Sequence, residues 1–227
     1  MKKLIIVAGF GPGISKAVAE RFGKDGYTVA LIGRNESRLK DGVKELASKG
    51  VEAKAFAGDL STPEGARQLI ARIRKDLGPI SILHWNAYLG GAGDLTSADP
   101  TELRPVMDIA TTCLTAAIQE ALPDLKANKG AVLATNGGFG LFIPQVDEAA
   151  ANYNAMGLSI ANSAKEKLVR LLHHKLKGQG VYVGEVMVTG LVKGSAFDQG
   201  NATLDPAAIA GKFWQLNQDR KDFSVTI

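Results

Sequence analysis

Cysteine is almost absent from this 227-residue chain: Cys113 stands alone, so no intrachain disulfide can form, and the sequence suits a reducing, cytoplasmic setting. Inside an apolar helical pattern, Cys113 reads as a core or interface residue rather than a nucleophile. Long apolar runs are also missing. The N-terminal Met-Lys-Lys-Leu-Ile-Ile starts like an export signal but stops at a glycine turn, so neither a signal nor a membrane-spanning helix is expected. Charge of one sign is scarce as well. Lys and Arg number 27 against 23 Asp and Glu, a net +4 without the basic block that tracks nucleic acid. No repeat or low-complexity segment breaks the chain. These exclusions leave an ordinary globule, 45% hydrophobic, long enough for one well-buried domain, with a second full domain not expected.

The most informative stretch is Ala8-Gly9-Phe10-Gly11-Pro12-Gly13-Ile14-Ser15, which follows the apolar run Leu4-Ile5-Ile6-Val7 and opens a helical pattern. Glycines let the backbone turn tightly and approach a ligand, while the helix that follows aims free N–H groups and a positive dipole at an anion. After a strand, such a turn is where a dinucleotide pyrophosphate sits. Short β-branched runs near 3–8, 28–33, 51–57, 80–85, 130–136, 181–188 and 223–227 alternate with helical patterns near 13–25, 36–49, 62–77, 99–127, 155–178 and 206–218. That alternation is expected to give a doubly wound α/β fold, a parallel sheet covered on both faces. Gly26, Gly50, Gly78, Gly130 and Gly180 each precede a strand and read as left-handed helix caps. The Gly-rich segment 137–155 breaks the rhythm and reads as a long functional loop.

Two further strand ends carry cofactor chemistry. At Leu31-Ile32-Gly33-Arg34-Asn35, a glycine and a cation replace the carboxylate that would bind the ribose hydroxyls of NAD. Room and charge for a 2′-phosphate favour NADP, the alternative being that Arg34 is a surface arginine capping the strand. Asp59, in Gly58-Asp59-Leu60-Ser61-Thr62, either accepts from an adenine amino group or caps a turn before Pro63.

Taken in order, the glycine turn, Gly33-Arg34, Asp59-Leu60, Trp85-Asn86-Ala87-Tyr88, Lys165 and Thr189-Gly190 resemble the landmarks of the short-chain dehydrogenase/reductase family over essentially the whole chain. The resemblance implies one Rossmann-type domain over 1–227 with seven parallel strands. It also implies an adenine pocket at Asp59 and Leu60, cofactor contacts from Asn86, Ala87 and Gly190, and a homodimer or homotetramer. The candidate cofactor-binding residues are thus Gly9, Phe10, Gly11, Gly13, Ile14, Arg34, Asp59, Leu60, Asn86, Ala87, Lys165, Gly190 and Val192, with NADPH preferred over NADH and no metal.

The departures from the family pattern concern catalysis. The family uses a tyrosine four residues before the helix lysine as general acid or base, a serine after the fifth strand, and an asparagine in the fourth helix. The corresponding positions here hold Ala161, Gly137 or Asn136, and Asp108, and no Tyr-x-x-x-Lys occurs anywhere. Lys165 is left as the candidate catalytic residue, and a lysine also has a purely binding role toward ribose hydroxyls. Tyr153, twelve residues earlier, would lie about 18 Å from Lys165 along one helix and about 120° around it, too far to couple. It enters the cleft only if 137–155 folds back; otherwise it is a surface aromatic. Tyr88 has a similar standing close to the expected nicotinamide. His84 reads as a core histidine, and His173-His174 as a solvated helix face or subunit contact. The segment 191–200 has the composition of a substrate lid or an ordinary surface loop. Two functions follow: an NADP(H)-dependent oxidoreductase for a small carbonyl or alcohol with an atypical active site, or a catalytically inactive NADP(H)-binding protein, a cofactor sensor or oligomer partner.

Overall fold

The computed structural model describes residues 3–227; Met1 and Lys2 of the basic N-terminal segment lie outside the described residues. Strands β1 (Lys3–Ala8), β2 (Tyr27–Gly33), β3 (Ala53–Ala57), β4 (Ile82–Trp85), β5 (Ala131–Gly137), β6 (Tyr182–Val188) and β7 (Ser224–Thr226) pair in parallel as one sheet. Their order is β3-β2-β1-β4-β5-β6-β7. The chain runs outward from β1 to β3 and then crosses back to β4 on the other side of β1, which makes the end of β1 the topological switch point.

Strands buried on both faces need helices on both. Helices α1 (Ile14–Lys24), α2 (Glu36–Ser48) and α8 (Pro206–Asp219) cover one face, where Ile5, Val7, Val29 and Leu31 pack with Phe22 and Phe213. Helices α3 (Pro63–Leu77), α5 (Cys113–Ala127) and α7 (Met156–Lys177) cover the other, where Ile6, Ile32 and Leu83 pack with Ile70, Leu114 and Val169. Alternation of Leu4, Ile6 and Ala8 with Ile5 and Val7 thus feeds two cores from one strand. Each such side chain contributes about 1.5–3 kcal/mol on burial. Cys113 lies fully buried in the second core, as its helical setting implied. Among the described residues no helix is long and apolar enough to cross a membrane.

The seven expected strands and the doubly wound arrangement are present, but four local expectations are corrected. The 137–155 segment is not a long loop: after a short 3₁₀ turn at Gly138–Gly140 it holds helix α6 (Pro144–Asn152), started by Pro144 in its first turn. The single helix expected over 99–127 is a chain of pieces, a 3₁₀ turn at Pro100–Glu102, α4 (Leu103–Met107), a π segment at Asp108–Thr112, and α5. Gly26, Gly50, Gly78 and Gly180 have positive φ, but at Gly130 the left-handed residue is the preceding Lys129, with φ 48°. Gly130 is small for another reason: a Cβ there would lie 2.4 Å from the Ser81 carbonyl oxygen. Finally, His173 is buried rather than solvated, with Nδ1 2.8 Å from the Val183 carbonyl oxygen, whereas His174 is exposed.

Register sets the site. Ala8 lies opposite both Ile32 and Trp85, and Trp85 lies opposite Ala134. The carboxyl ends of β1, β2 and β4 are therefore level to within a residue, β5 runs three residues further, and the residues that follow emerge along one edge.

Candidate functional site

One cavity of about 1320 Å³ opens along that edge. It exceeds the roughly 300–1,000 Å³ usual for a single drug-sized ligand, room for an extended dinucleotide with a second molecule. Gly9, Phe10, Gly11, Ile14, Arg34, Asp59, Leu60, Asn86, Ala87, Lys165, Gly190 and Val192 all line it. Gly13 is the exception among the candidates. It does not line the cavity; its Cα faces Ser195, whose Cβ would be 3.4 Å from an added methyl.

The glycine turn is held from three sides. The Gly9 and Phe10 N–H groups donate to the Ile32 carbonyl at 3.1 and 2.7 Å. Buried Ser15 accepts from the Gly11 N–H at 2.9 Å and donates back to the Gly11 carbonyl at 3.0 Å. The Asn86 amide donates to the Gly9 carbonyl at 3.3 Å, so Asn86 braces the turn as well as lining the cavity. Gly9 itself has φ 84°, and a Cβ on it would fall 2.6 Å from the Ala87 nitrogen, so no other residue fits. The start of α1, whose first N–H groups have no intrahelical partner, closes this end.

Beyond the turn, Arg34, in the bend before the N-cap Asn35, and Arg38, in the first turn of α2, both line the cavity, and among the described residues neither has an ion-pair partner. Arg38, which the sequence reading passed over, comes to the cavity because Asn35 caps α2 directly after β2 and its side chain accepts from the Arg38 N–H. Asp59 does cap a turn: its two oxygens accept from the Ser61 N–H at 3.0 Å and the Ser61 hydroxyl at 2.7 Å. Those bonds to Ser61, with Arg34 nearby, hold its carboxyl below the usual range.

At the other end, Lys165 is 4% exposed on α7 and faces the cavity. Burial lowers its ammonium to about 8, opposed by the Glu185 carboxylate on β6. Glu185 is fully buried and pushed up to about 7 by that burial, with the Asn136 hydrogen bond and Lys165 pulling the other way. Asn136 Nδ2 donates both to Glu185 Oε2 at 2.9 Å and to the Asn162 carbonyl at 3.0 Å, tying β5, β6 and α7 together. Ala161 is buried and does not reach the cavity, nor does Asp108, whose oxygen accepts from Thr112 at 3.0 Å; the next residue, Ile109, lines it instead. Tyr153, at the end of α6, and Tyr88 both stand on the cavity wall, Tyr88 with its ring 6.0 Å from that of Phe197. His84 is fully buried away from the cavity, with Nε2 3.2 Å from the Thr135 hydroxyl and Nδ1 unpartnered. The 191–200 segment folds over the mouth, organised by Asp198, which accepts from the Gly194, Gly200 and Ala202 N–H groups.

The family model described as short chain dehydrogenase matches residues 3–203. The chain belongs to the short-chain dehydrogenase family. Among curated relatives, a peroxisomal 2,4-dienoyl-CoA reductase of Arabidopsis thaliana is 29% identical over 174 residues, 75% of this chain and 57% of that protein. The matches span between 32% and 57% of the length of the first three curated relatives. Among solved structures, a metagenomic short-chain oxidoreductase in complex with NADP superposes with a TM-score of 0.83 at 21% identity, covering 100% of this chain and 96% of that one. A blue fluorescent protein from a metagenomic library, in complex with NADPH, gives 0.85 at 22%, covering 99% and 96%. At these identities the superpositions speak for the fold of this family member.

Proposed function

We propose that this short-chain dehydrogenase family member is an NADP(H)-dependent oxidoreductase for a small carbonyl or alcohol, with Lys165 as its catalytic residue. One observation carries the reading: a single cavity joins the braced glycine turn, the free Arg34–Arg38 pair and the buried Lys165. The residues present suit the cofactor. The turn and the start of α1 offer backbone N–H groups to a pyrophosphate. Two unpaired guanidinium groups match a 2′-phosphate, which they bind by charge-assisted hydrogen bonds. Asp59 and Leu60 flank the adenine, and Asn86, Ala87, Gly190 and Val192 line the way to the nicotinamide end.

When bound, the nicotinamide supplies or accepts a hydride. The chain's own part is to fix the two reactants side by side, exclude water and move one proton. No phenol stands four residues before Lys165, so its ammonium, brought near neutrality by burial, is the group that donates and regains the proton. Positioning supplies much of the remaining acceleration. The exposed Ile160 and Leu171 on α7 are suited to a homodimer or homotetramer contact.

A fluorescence titration with NADPH and NADH tests the reading. NADPH is expected to bind more tightly, and Arg34→Ala to weaken NADPH about tenfold or more while leaving NADH nearly unchanged. Equal losses for both cofactors would remove the 2′-phosphate assignment. Oxidation of NADPH by a carbonyl panel, lost in Lys165→Ala, completes the test. Binding without turnover would favour the inactive cofactor-binding protein.

A further inference from the structure

Asn162 lies one helical turn before Lys165 on the same face of α7, is 4% exposed, and lines the cavity. Its backbone carbonyl is anchored by Asn136 Nδ2 at 3.0 Å, and Asn136 is itself pinned, because its Oδ1 accepts from the Gly137 N–H at 3.0 Å and its Nδ2 also donates to Glu185. The side chain is wedged between two glycines. A Cβ on Gly137 would lie 2.6 Å from Asn162 Nδ2, and one on Gly140 would lie 2.8 Å from Asn162 Cβ. The bare backbone at 137 is thus what leaves room for the amide. Yet among the described residues this amide has no hydrogen-bond partner. The amide is therefore not sealed in the core but opens on the cavity, held in place with no partner in the chain and free to meet a ligand.

We propose that the Asn162 amide binds and polarises the oxygen of the substrate carbonyl, sharing that oxygen with the Lys165 ammonium. The proposal rests on the reductase reading above and adds the residue that orients the substrate. An amide and an ammonium three residues apart on one helix and on one cavity wall suit an acceptor that gains negative charge during the reaction, which a carbonyl oxygen does. In reduction the carbonyl carbon accepts a hydride from NADPH and forms a C–H bond, while the π pair of the C=O bond moves to oxygen. That oxygen takes a proton from Lys165 Nζ, which would leave the alcohol and the oxidised cofactor as products, and Lys165 regains its proton from water. Asn162 keeps its protons throughout and holds the oxygen at the donor.

Benzoate, whose carboxylate imitates the developing oxyanion and cannot be reduced by NADP⁺, is the probe. It is titrated by calorimetry into protein saturated with NADP⁺, for the wild type, Asn162→Ala and the isosteric Asn162→Asp. Expected are benzoate binding by the wild type, a loss of about tenfold or more in Asn162→Ala, and no detectable binding in Asn162→Asp. NADP⁺ affinity and melting temperature should stay near wild type in both. If Asn162→Ala does not fold, Asn162→Asp carries the test. Unchanged benzoate affinity, no benzoate binding by the wild type, a parallel loss of NADP⁺ affinity, or failure of both variants to fold would each overturn the proposal. Asn162-dependent benzoate binding without turnover of any carbonyl would instead leave the oxygen site standing and remove the reductase reading.

Discussion

Lys165 and Glu185 are two opposite charges in a place where neither is well solvated, and each moves the other's proton. Glu185 titrates near 7 in the folded chain against an ordinary 4.5, so the folded state holds the proton more tightly than the unfolded one between those values. Its contribution to stability is therefore fully present below about pH 4.5 and is lost as pH rises through 7. The difference is on the order of 3 kcal/mol. Urea denaturation of wild type and Glu185→Gln from pH 4.5 to 8 should show the wild type falling relative to the variant; parallel curves would contradict the burial argument. Lys165 behaves in the opposite sense: its depressed value of about 8 means that the ammonium, the proton donor of the proposed carbonyl reduction, is lost above that pH. Reductase activity should decline on the alkaline side near pH 8. In Glu185→Gln, without the anion that supports the ammonium, that decline should begin at lower pH, and an unmoved profile would separate Glu185 from the proton step.

Elements were legible to the extent that their burial was regular. The central strands showed as apolar, β-branched-rich runs because both of their faces are buried, and α7 showed through its apolar spacing. Helix α6 did not, because only Ala150 among its nine residues is buried, leaving no periodic stripe to read. Its signals were local: Pro144 in the first turn, Asp147 near the start and an Ala149-Ala150-Ala151 run. Asp108 opens a π segment, Asp108–Thr112, and it is Ile109 rather than Asp108 that lines the cavity. Linear spacing has no term for such a segment. Asn162 was missed for a different reason: its role depends on the missing side chain at Gly137, twenty-five residues away. Glycines inside helices give a clean test of packing at this scale. A Cβ on Gly42 of α2 would lie 2.4 Å from the Phe10 ring, in the turn that lines the cavity, whereas one on Gly211 of α8 meets nothing within 4 Å. Gly42→Ala should cost about 1–3 kcal/mol and weaken NADPH binding. Gly211→Ala should stabilise by about 0.5–1 kcal/mol without affecting binding. Denaturant midpoints beside NADPH titrations check both, and equal effects would show that Phe10 yields freely.

At the scale of the whole molecule, one cleft draws on almost every strand end. Residues after β1, β2, β3 and β4 line one end of it, where the proposal puts the cofactor, and those after β5 and β6, with α7, line the end where it puts the chemistry. A ligand along the full edge therefore bridges both sides of the switch point at β1 and is bound only while the sheet is intact. Binding to the folded state alone stabilises it by about 2.7 kcal/mol at a concentration one hundred times the dissociation constant. For a chain of this size that corresponds to a rise of roughly 5–10 °C in melting temperature. NADPH should produce such a rise, and NADH at the same concentration a smaller one. Gly9→Ala, which sets a methyl against the Ala87 backbone at the switch point, should melt lower and respond to neither cofactor. A full NADPH shift in Gly9→Ala would mean that the dinucleotide does not depend on the turn, and the cleft would then have to bind its ligand through the Arg34 and Lys165 ends alone.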